Sequence, residues 1–361
     1  MTEPGAMSSR STFAVRLSMV AIAGWLLWGE WQALEEGVST PLSVETRHFE
    51  FEYAVEIPAE SGDAEAFTLF LPIASDQTGQ RILDVKIDSE IAGRIETESA
   101  FGNRYWVARF PARRSEASSV VIRYDVERAV VQAGDEYGDP NVSRTFLRAN
   151  ERVVVGHPVL DPILAEIRAA TPSADRATRA RAIYDWVVDN VEYKLVGKGW
   201  GNGDTFWACN ARYGNCTDFH SLFVSLARTE GIPARFEMGF PVPLTRGAGE
   251  IKGYHCWVEF WLPEIGWIPI DASEAFKHPD QRELFYGTHP ADRIQFSRGR
   301  DLRLGTAHLD RPLNYFVYPY AEVDGKERKI SFGTRFTYRD VVGIGGLGVD
   351  GQVDGESAAA L

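Results

Sequence analysis

Between residues 48 and 57 the chain alternates strictly. Phe49, Phe51, Tyr53, Val55 and Ile57 share one face, and charged residues at 50, 52 and 56 take the other. A period of two predicts a half-buried β-strand. Further strands are expected over 66–71, 81–87, 104–110 and 120–131, separated by turn-rich stretches such as 60–63 and 75–79. Short strands at this spacing predict an antiparallel β-sandwich over 45–135. No chemistry stands out in that segment, which reads as a packing or substrate-presenting module.

Near residue 150 the period changes. A short helix is expected over 162–170. A longer one, capped by Ser173, runs over 174–191, with Ile183, Trp186, Val187 and Val191 on one stripe. Arg176, Arg179 and Arg181 form its solvated face. After a loop rich in glycine and aromatics (197–213), residues 216–230 again repeat apolar positions at helical spacing: Phe219, Leu222, Phe223 and Leu226. Gly231 and Pro233 close that helix. Strands resume over 234–240, 254–261 and 267–270. Segments 315–323 and 329–338 flank Asp324-Gly325, a hairpin signal. The glycine-rich stretch 241–253 reads as a loop able to flank a cleft, and 341–361 reads as a mobile tail. The fold class is therefore α+β, with a sandwich at 45–135 followed by a second domain at 150–338.

The first 37 residues do not read as domain. Arg10 and Arg16 precede an uncharged stretch, 17–28. Its 12 residues fall short of the ~20 that a free transmembrane helix needs, and fit the apolar part of a secretory signal. No clean small-x-small cleavage site follows, so both a cleaved signal and a retained anchor are open. Either way the expectation is an exported protein of the periplasm or cell envelope, touching membrane only through this segment. The 38 basic and 51 acidic side chains leave a net charge of −13, which argues against nucleic acid as partner. Asn141-Val142-Ser143 matches a glycosylation sequon too short to carry weight.

Candidate chemistry lies in three stretches. Cys216 begins an amphipathic helix, where aligned peptide dipoles and free N–H groups lower a thiol pKa. His255 sits on a strand, and Asp271 ends the next one, so the two can be neighbours across an antiparallel pair. A carboxylate there would fix the imidazole tautomer and stabilise its charged form. A thiol on a helix with base and orienter on adjacent strands makes a Cys-His-Asp triad geometrically reasonable.

These stretches resemble the core of the transglutaminase-like superfamily, which shares the papain-type cysteine-protease architecture. The resemblance rests on Gly214-Asn215-Cys216, Gly231-Ile232-Pro233-Ala234-Arg235, His255-Cys256-Trp257 and Gly266-Trp267-Ile268-Pro269-Ile270-Asp271, in that order, across roughly 160–300. It implies a nucleophile helix packed on an antiparallel sheet. Cys216 would be the nucleophile, His255 the general base and acid, and Asp271 the orienter. The implied reaction is acyl transfer from a peptide or protein amide through a thioester, resolved by water or by a primary-amine acceptor. That covers peptidase, deamidase and transglutaminase chemistry. The preceding β-domain is similar to modules that often precede this core in bacterial members. The rival reading is an idle core acting as a binding module of the cell envelope.

Other residues fill in the site. The Cys216 backbone N–H is one expected oxyanion donor. The second is open among Trp200, Asn202 and Trp207, with Tyr193 upstream. Trp257 lies two residues past His255, in the surroundings of the site. Asp218, in the first turn after Cys216, is expected to accept backbone N–H bonds and face away from the thiol. His220, one turn on, reads as a supporting residue, because helical side chains tilt toward the N-terminus. Cys256 replaces the small residue common in the family and, flanking His255 in a strand, is expected to point to the opposite face. Three reduced thiols rank above a Cys209–Cys256 or a Cys209–Cys216 disulfide. No cofactor is expected. A zinc site drawn from Cys209, Cys216, His220, His255 and Cys256 is disfavoured, because no C-x-x-C or H-E-x-x-H pair exists.

Overall fold

The alternating segment forms the strand Thr46–Ile57, and its five inward residues are buried. It lies in the middle of a five-stranded antiparallel sheet. The order is Ala248–Ile251, Gly333–Asp340, Thr46–Ile57, Ser118–Ala129 and Gln80–Ser89. A second five-stranded antiparallel sheet runs Lys326–Glu327, Tyr320–Val323, Phe67–Ile73, Arg104–Phe110 and Arg94–Thr97. The structure is a computed structural model that describes residues 46–59, 65–137, 142–172, 175–305 and 311–341. The expected export segment 1–37, nearly all of the tail 341–361, Asn141 of the sequon and Ser173 lie outside the described residues. Among the described residues no helix is long and apolar enough to cross a membrane.

Both sheets take strands from the far end of the chain, so the expected boundary between 45–135 and 150–338 is crossed. The described residues, from Thr46 to Val341, fall in one compact unit. The expected hairpin closes tightly at Asp324-Gly325, with φ of 49° and 78°, the pair of positive values that a type I′ turn requires. Its return arm is only Lys326–Glu327. The rest of the expected arm, Gly333–Asp340, leaves that sheet and pairs with Thr46–Ile57 in the other. An alternating pattern tells which face a strand buries but not which neighbour it takes. The stretch 241–253 is also tied down, through the pairing of Ala248–Ile251 with Gly333–Asp340.

A four-stranded antiparallel sheet carries the site. Its order is Gly266–Ile270, His255–Leu262, Ala234–Pro241, Arg293–Arg298. Helix Cys216–Thr229 packs on it, buried at every position from Cys216 to Arg228. Gly231, at φ +72°, ends the helix in the left-handed conformation, and Ile232 N–H returns to the Ala227 carbonyl at 2.9 Å. Arg235, in the strand that follows, is buried in an ion-pair cluster. It reaches both Glu136 oxygens at 2.7 Å and also bonds Glu259. Helix Arg176–Asn190 is capped by Asp175, two residues past the expected cap, whose carboxylate accepts the Thr178 N–H at 2.8 Å.

Aromatic rings join this sheet to the sandwich. Phe240 lies 4.2 Å from Phe336, 5.6 Å from Phe51 and 5.4 Å from Phe296, centroid to centroid. Tyr53 lies 4.7 Å from Phe336 and donates its hydroxyl to the Val317 carbonyl at 3.1 Å. Removing a ring of this size from a close-packed core costs about 3–5 kcal/mol. Phe240→Ala is therefore expected to lose that much stability in urea denaturation, in a single transition covering both sheets. A loss below about 1 kcal/mol, or two separate transitions, would show that the two sheets do not share one core.

Candidate active site

Asn215 sets the start of the cysteine helix. Its side chain accepts the Thr217 N–H at 3.0 Å, and Asp218 completes a capping box by accepting the Asn215 N–H at 3.0 Å. Cys216 is thus the first helical residue, where the N–H groups lack intrahelical partners. Asp218 does more than cap. It is fully buried, and its two oxygens also accept Gly201 N–H at 2.7 Å and Gly203 N–H at 3.1 Å, so it pins the glycine loop to the helix. Gly214 makes room for it, because a β-carbon there would sit 2.1 Å from the carboxylate. Burial pushes the Asp218 carboxyl up to about 6 against these bonds.

Across the sheet, His255 Nε2 lies 2.7 Å from Asp271 Oδ2. That bond leaves Nδ1 for the thiol, and the two groups shift each other: His255 lowers the Cys216 thiol, and Cys216 raises the imidazole. The structure therefore brings Cys216, His255 and Asp271 together. Cys216 is 2% exposed, more enclosed than its helix-start position predicts. Burial opposes ionisation of its thiol, but hydrogen bonds from Cys256 and His255 and the charge of His255 outweigh it and hold the thiol well below its ordinary value. Burial likewise works against a charged His255, yet Asp271 raises the imidazole to about 10. Asp271, fully buried, is held well below the usual carboxylate range: burial pulls it up, and the His255 charge more than offsets this. Its other oxygen accepts from Ser273 Oγ at 3.0 Å and from the Glu274 N–H at 3.1 Å, so Asp271 also caps the short helix Ala272–Lys277.

Trp207, expected as a donor, and Trp257, expected in the surroundings of the site, are both committed elsewhere. Trp207 gives its indole N–H to the Tyr213 carbonyl at 2.9 Å, from a helix, Thr205–Ala211, that lies within the expected loop. Trp257 gives its own to Glu237 at 2.8 Å and lies beneath His255, ring centroids 5.9 Å apart. Neither is free to meet an oxyanion. Trp200 is half-buried in the glycine loop, and Asn202 lends its carbonyl to Arg300 at 2.9 Å. Among the described residues no hydrogen bond joins Trp200 to the triad.

Several groups at the site escaped the sequence reading. The Tyr254 hydroxyl accepts from Asn215 Nδ2 at 2.9 Å and meets Thr217 Oγ1 at 3.0 Å, tying the cap to the His255 strand. Glu274 Oε1 lies 3.8 Å from His255 Nε2 and 2.7 Å from Lys277 Nζ, whose ammonium sits 4.2 Å over the Tyr193 ring. His220 is buried behind the triad, as a supporting residue. Cys256 departs from expectation: its sulfur faces the first turns of the cysteine helix, 3.4 Å from His220 Nδ1. The strand begins at His255, so alternation is not yet established at its first step. All three cysteines are free thiols, and burial pushes Cys209 up to about 11.

Among the described residues two groups could offer three ligand atoms within 4.8 Å of one another: His255, Asp271 and Glu274, and separately Glu237, Glu259 and His289. The first is already closed by the His255–Asp271 bond. In the second, Arg298 Nε lies 3.0 Å from Glu237 and Arg235 binds Glu259, which places guanidinium groups where a cation would need to be.

The model of the transglutaminase-like superfamily matches residues 164–272. An uncharacterised protein of Haemophilus influenzae is 25% identical over 320 residues, covering 77% of this chain and 86% of that protein. YebA of Bacillus subtilis is 34% identical over 79 residues, 19% of this chain and 11% of YebA. The crystal structure of a proposed cysteine protease from Cytophaga hutchinsonii superimposes with a TM-score of 0.55, covering 83% of this chain and 92% of that one. At 17% identity that likeness is one of fold. The matched segment spans the cysteine helix, the His255 strand and the strand that ends at Asp271, and the chain carries a transglutaminase-like core.

Proposed function

We propose that the protein is an exported cysteine enzyme that cleaves or transfers peptide and protein amides through a thioester on Cys216. The observation that carries this reading is the His255–Asp271 bond of 2.7 Å, and the same imidazole lowers the Cys216 thiol. The uncharged stretch 17–28 behind Arg10 and Arg16 supports a site of action in the cell envelope.

The Cys216 thiolate attacks the amide carbonyl and the carbonyl electrons move onto oxygen. Asn215 takes the Thr217 N–H, which leaves the Cys216 N–H, at the positive end of the helix, for that oxyanion. The C–N bond then breaks as His255 Nδ1 gives its proton to the leaving nitrogen, and the acyl group remains on sulfur. Water or a primary amine adds to the thioester while His255 takes its proton back, and the acid or new amide leaves as the thiolate reforms. Asp271 remains ionised throughout and holds Nε2–H. Hydrolysis is the favoured outcome, because water is always present and nothing in the sequence marks an amine pocket.

The charged pair of thiolate and imidazolium exists between the titration of Cys216, below its ordinary value, and that of His255, near 10. Iodoacetamide is therefore expected to label Cys216 selectively below about pH 7, with selectivity lost in His255→Ala. Slow, uniform labelling of all three cysteines, unchanged by His255→Ala, would sink the enzyme reading in favour of a binding module. Asp271→Asn removes the charge that raises His255. It is expected to shift the upper limit of the charged pair downward and to lower amide turnover by about 10²–10⁴-fold, measured with peptide substrates with and without a primary amine. Turnover equal to wild type would remove Asp271 from the mechanism.

A further inference from the structure

Asp271 Oδ2 has two basic neighbours. His255 Nε2 lies 2.7 Å away, and Arg293 Nη1 lies 3.5 Å away, within ion-pair reach. Arg293 belongs to the strand Arg293–Arg298, the far edge of the four-stranded sheet, and its side chain is buried. Its guanidinium carbon sits 4.7 Å over the Trp257 ring, and Trp257 is itself fixed by its bond to Glu237. The other oxygen of Asp271 accepts from Ser273 and the Glu274 N–H, and His220 Nε2 lies 3.5 Å from it and 3.1 Å from the Ala272 nitrogen. Further out, Glu274 is paired with Lys277 at 2.7 Å, Tyr184 gives its hydroxyl to the Arg282 carbonyl, and His289 Nε2 meets the Ile270 carbonyl at 3.1 Å. Burial holds His289 well below its ordinary value, and pushes Cys256 well above its own and Asp292 upward. Among the described residues, Arg293 is the group in contact with Asp271 whose positive charge does not depend on the state of an imidazole.

Acyl transfer changes the charge beside that carboxylate. In the resting pair the imidazolium of His255 neutralises Asp271. Once the proton has passed to the leaving nitrogen, the ring is neutral and the sulfur is held in a thioester. Asp271 is then a fully buried carboxylate that has lost its imidazolium partner, a costly state unless another cation remains. We propose that Arg293 is a positioning residue: acting through Asp271, it keeps that carboxylate ionised while His255 is neutral, and so lets the imidazole release and retake its proton. This rests on the reading of Cys216 as the thiol that carries the acyl group. The sign follows from the charges. A cation beside the Asp271–His255 pair weakens its hold on the shared proton. Without the guanidinium the pair binds that proton more tightly, whichever member bears it. His255 then becomes the free base that activates water only at higher pH. The Cys216 charge that helps raise His255 to about 10 is absent from the thioester, so the ring titrates below that value there.

The test uses p-nitrophenyl acetate with wild type, Arg293→Gln, Arg293→Met, Arg293→Lys and, for background, Cys216→Ala. The thiolate displaces p-nitrophenolate in a burst that reports acetylation of Cys216, located by peptide mass mapping. The steady release that follows reports hydrolysis of the acetyl thioester, in which water gives its proton to His255 and acetate leaves. Both phases are followed against pH, and thermal unfolding is recorded for each variant. The burst needs only the thiolate and a good leaving group, and is expected in all three Arg293 variants. The steady rate is expected to rise with pH as His255 loses its proton. In Arg293→Gln and Arg293→Met that limb is expected to move up by about one pH unit, about tenfold slower release at a fixed pH on the limb. The glutamine keeps a neutral N–H donor beside Asp271, which preserves the test if the methionine variant does not fold. Arg293→Lys, which keeps the charge, is expected to bring the limb most of the way back. A limb in the neutral variants that coincides with wild type overturns the role of Arg293 while leaving the acyl-transfer reading standing. Equal losses of rate and Tm in the neutral and lysine variants, with the limb unmoved, also overturn it, since that is the mark of packing alone. Wild type that shows no Cys216-dependent acetylation removes the acyl-transfer reading, and this proposal with it.

Discussion

A carboxylate with no access to water organises this site. Asp271 cannot remain charged in the interior unless its oxygens are bonded, and a buried unpaired charge would be among the costliest features a fold can hold. The structure meets that demand with His255 on one oxygen and with Ser273 and the Glu274 N–H on the other. The same bonds turn the His255 ring, end one strand and start the helix that brings Glu274 to the imidazole. Orientation of the His255 ring and stability of the carboxylate are thus one set of contacts. Arg293, 3.5 Å away, adds positive charge from the last strand of the sheet.

On the other wall a second buried carboxylate plays the matching part. Asp218 gathers N–H groups from Asn215, Gly201 and Gly203, so the start of the cysteine helix and the glycine loop move as one piece. Arg300 holds that loop from outside, through the carbonyls of Gly203 at 3.0 Å and Asn202 at 2.9 Å, and reaches Ser221 on the helix. A nucleophile loses rate steeply when misplaced by an ångström, which gives such bracing a functional reason. Tyr254 then links the cap to the His255 strand, so the two walls are joined beside the Cys216 sulfur.

Much of the site was legible in residues 214–271. A thiol after an Asn cap, a histidine opening an apolar strand and an aspartate closing the next are local features, and each depends on neighbours close in sequence. The indole donor was not. Whether Trp207 faces an oxyanion depends on which acceptor lies within 3 Å, and the acceptor proved to be Tyr213. Cys256 was misjudged for a related reason: alternation applies inside a strand, and Cys256 is only its second residue.

At the level of the whole chain the division is similar. Periodicity in the sequence determined the elements, their buried faces and the order of the chemical groups, because each is a short-range property of backbone and side chains. Only the tertiary structure decided that the last strand, Gly333–Asp340, lies beside the first, Thr46–Ile57, and that Phe240 of the four-stranded sheet packs against both. Strand partners and buried acceptors are chosen by distance in space, across separations of nearly 300 residues, for which the local pattern carries no signal.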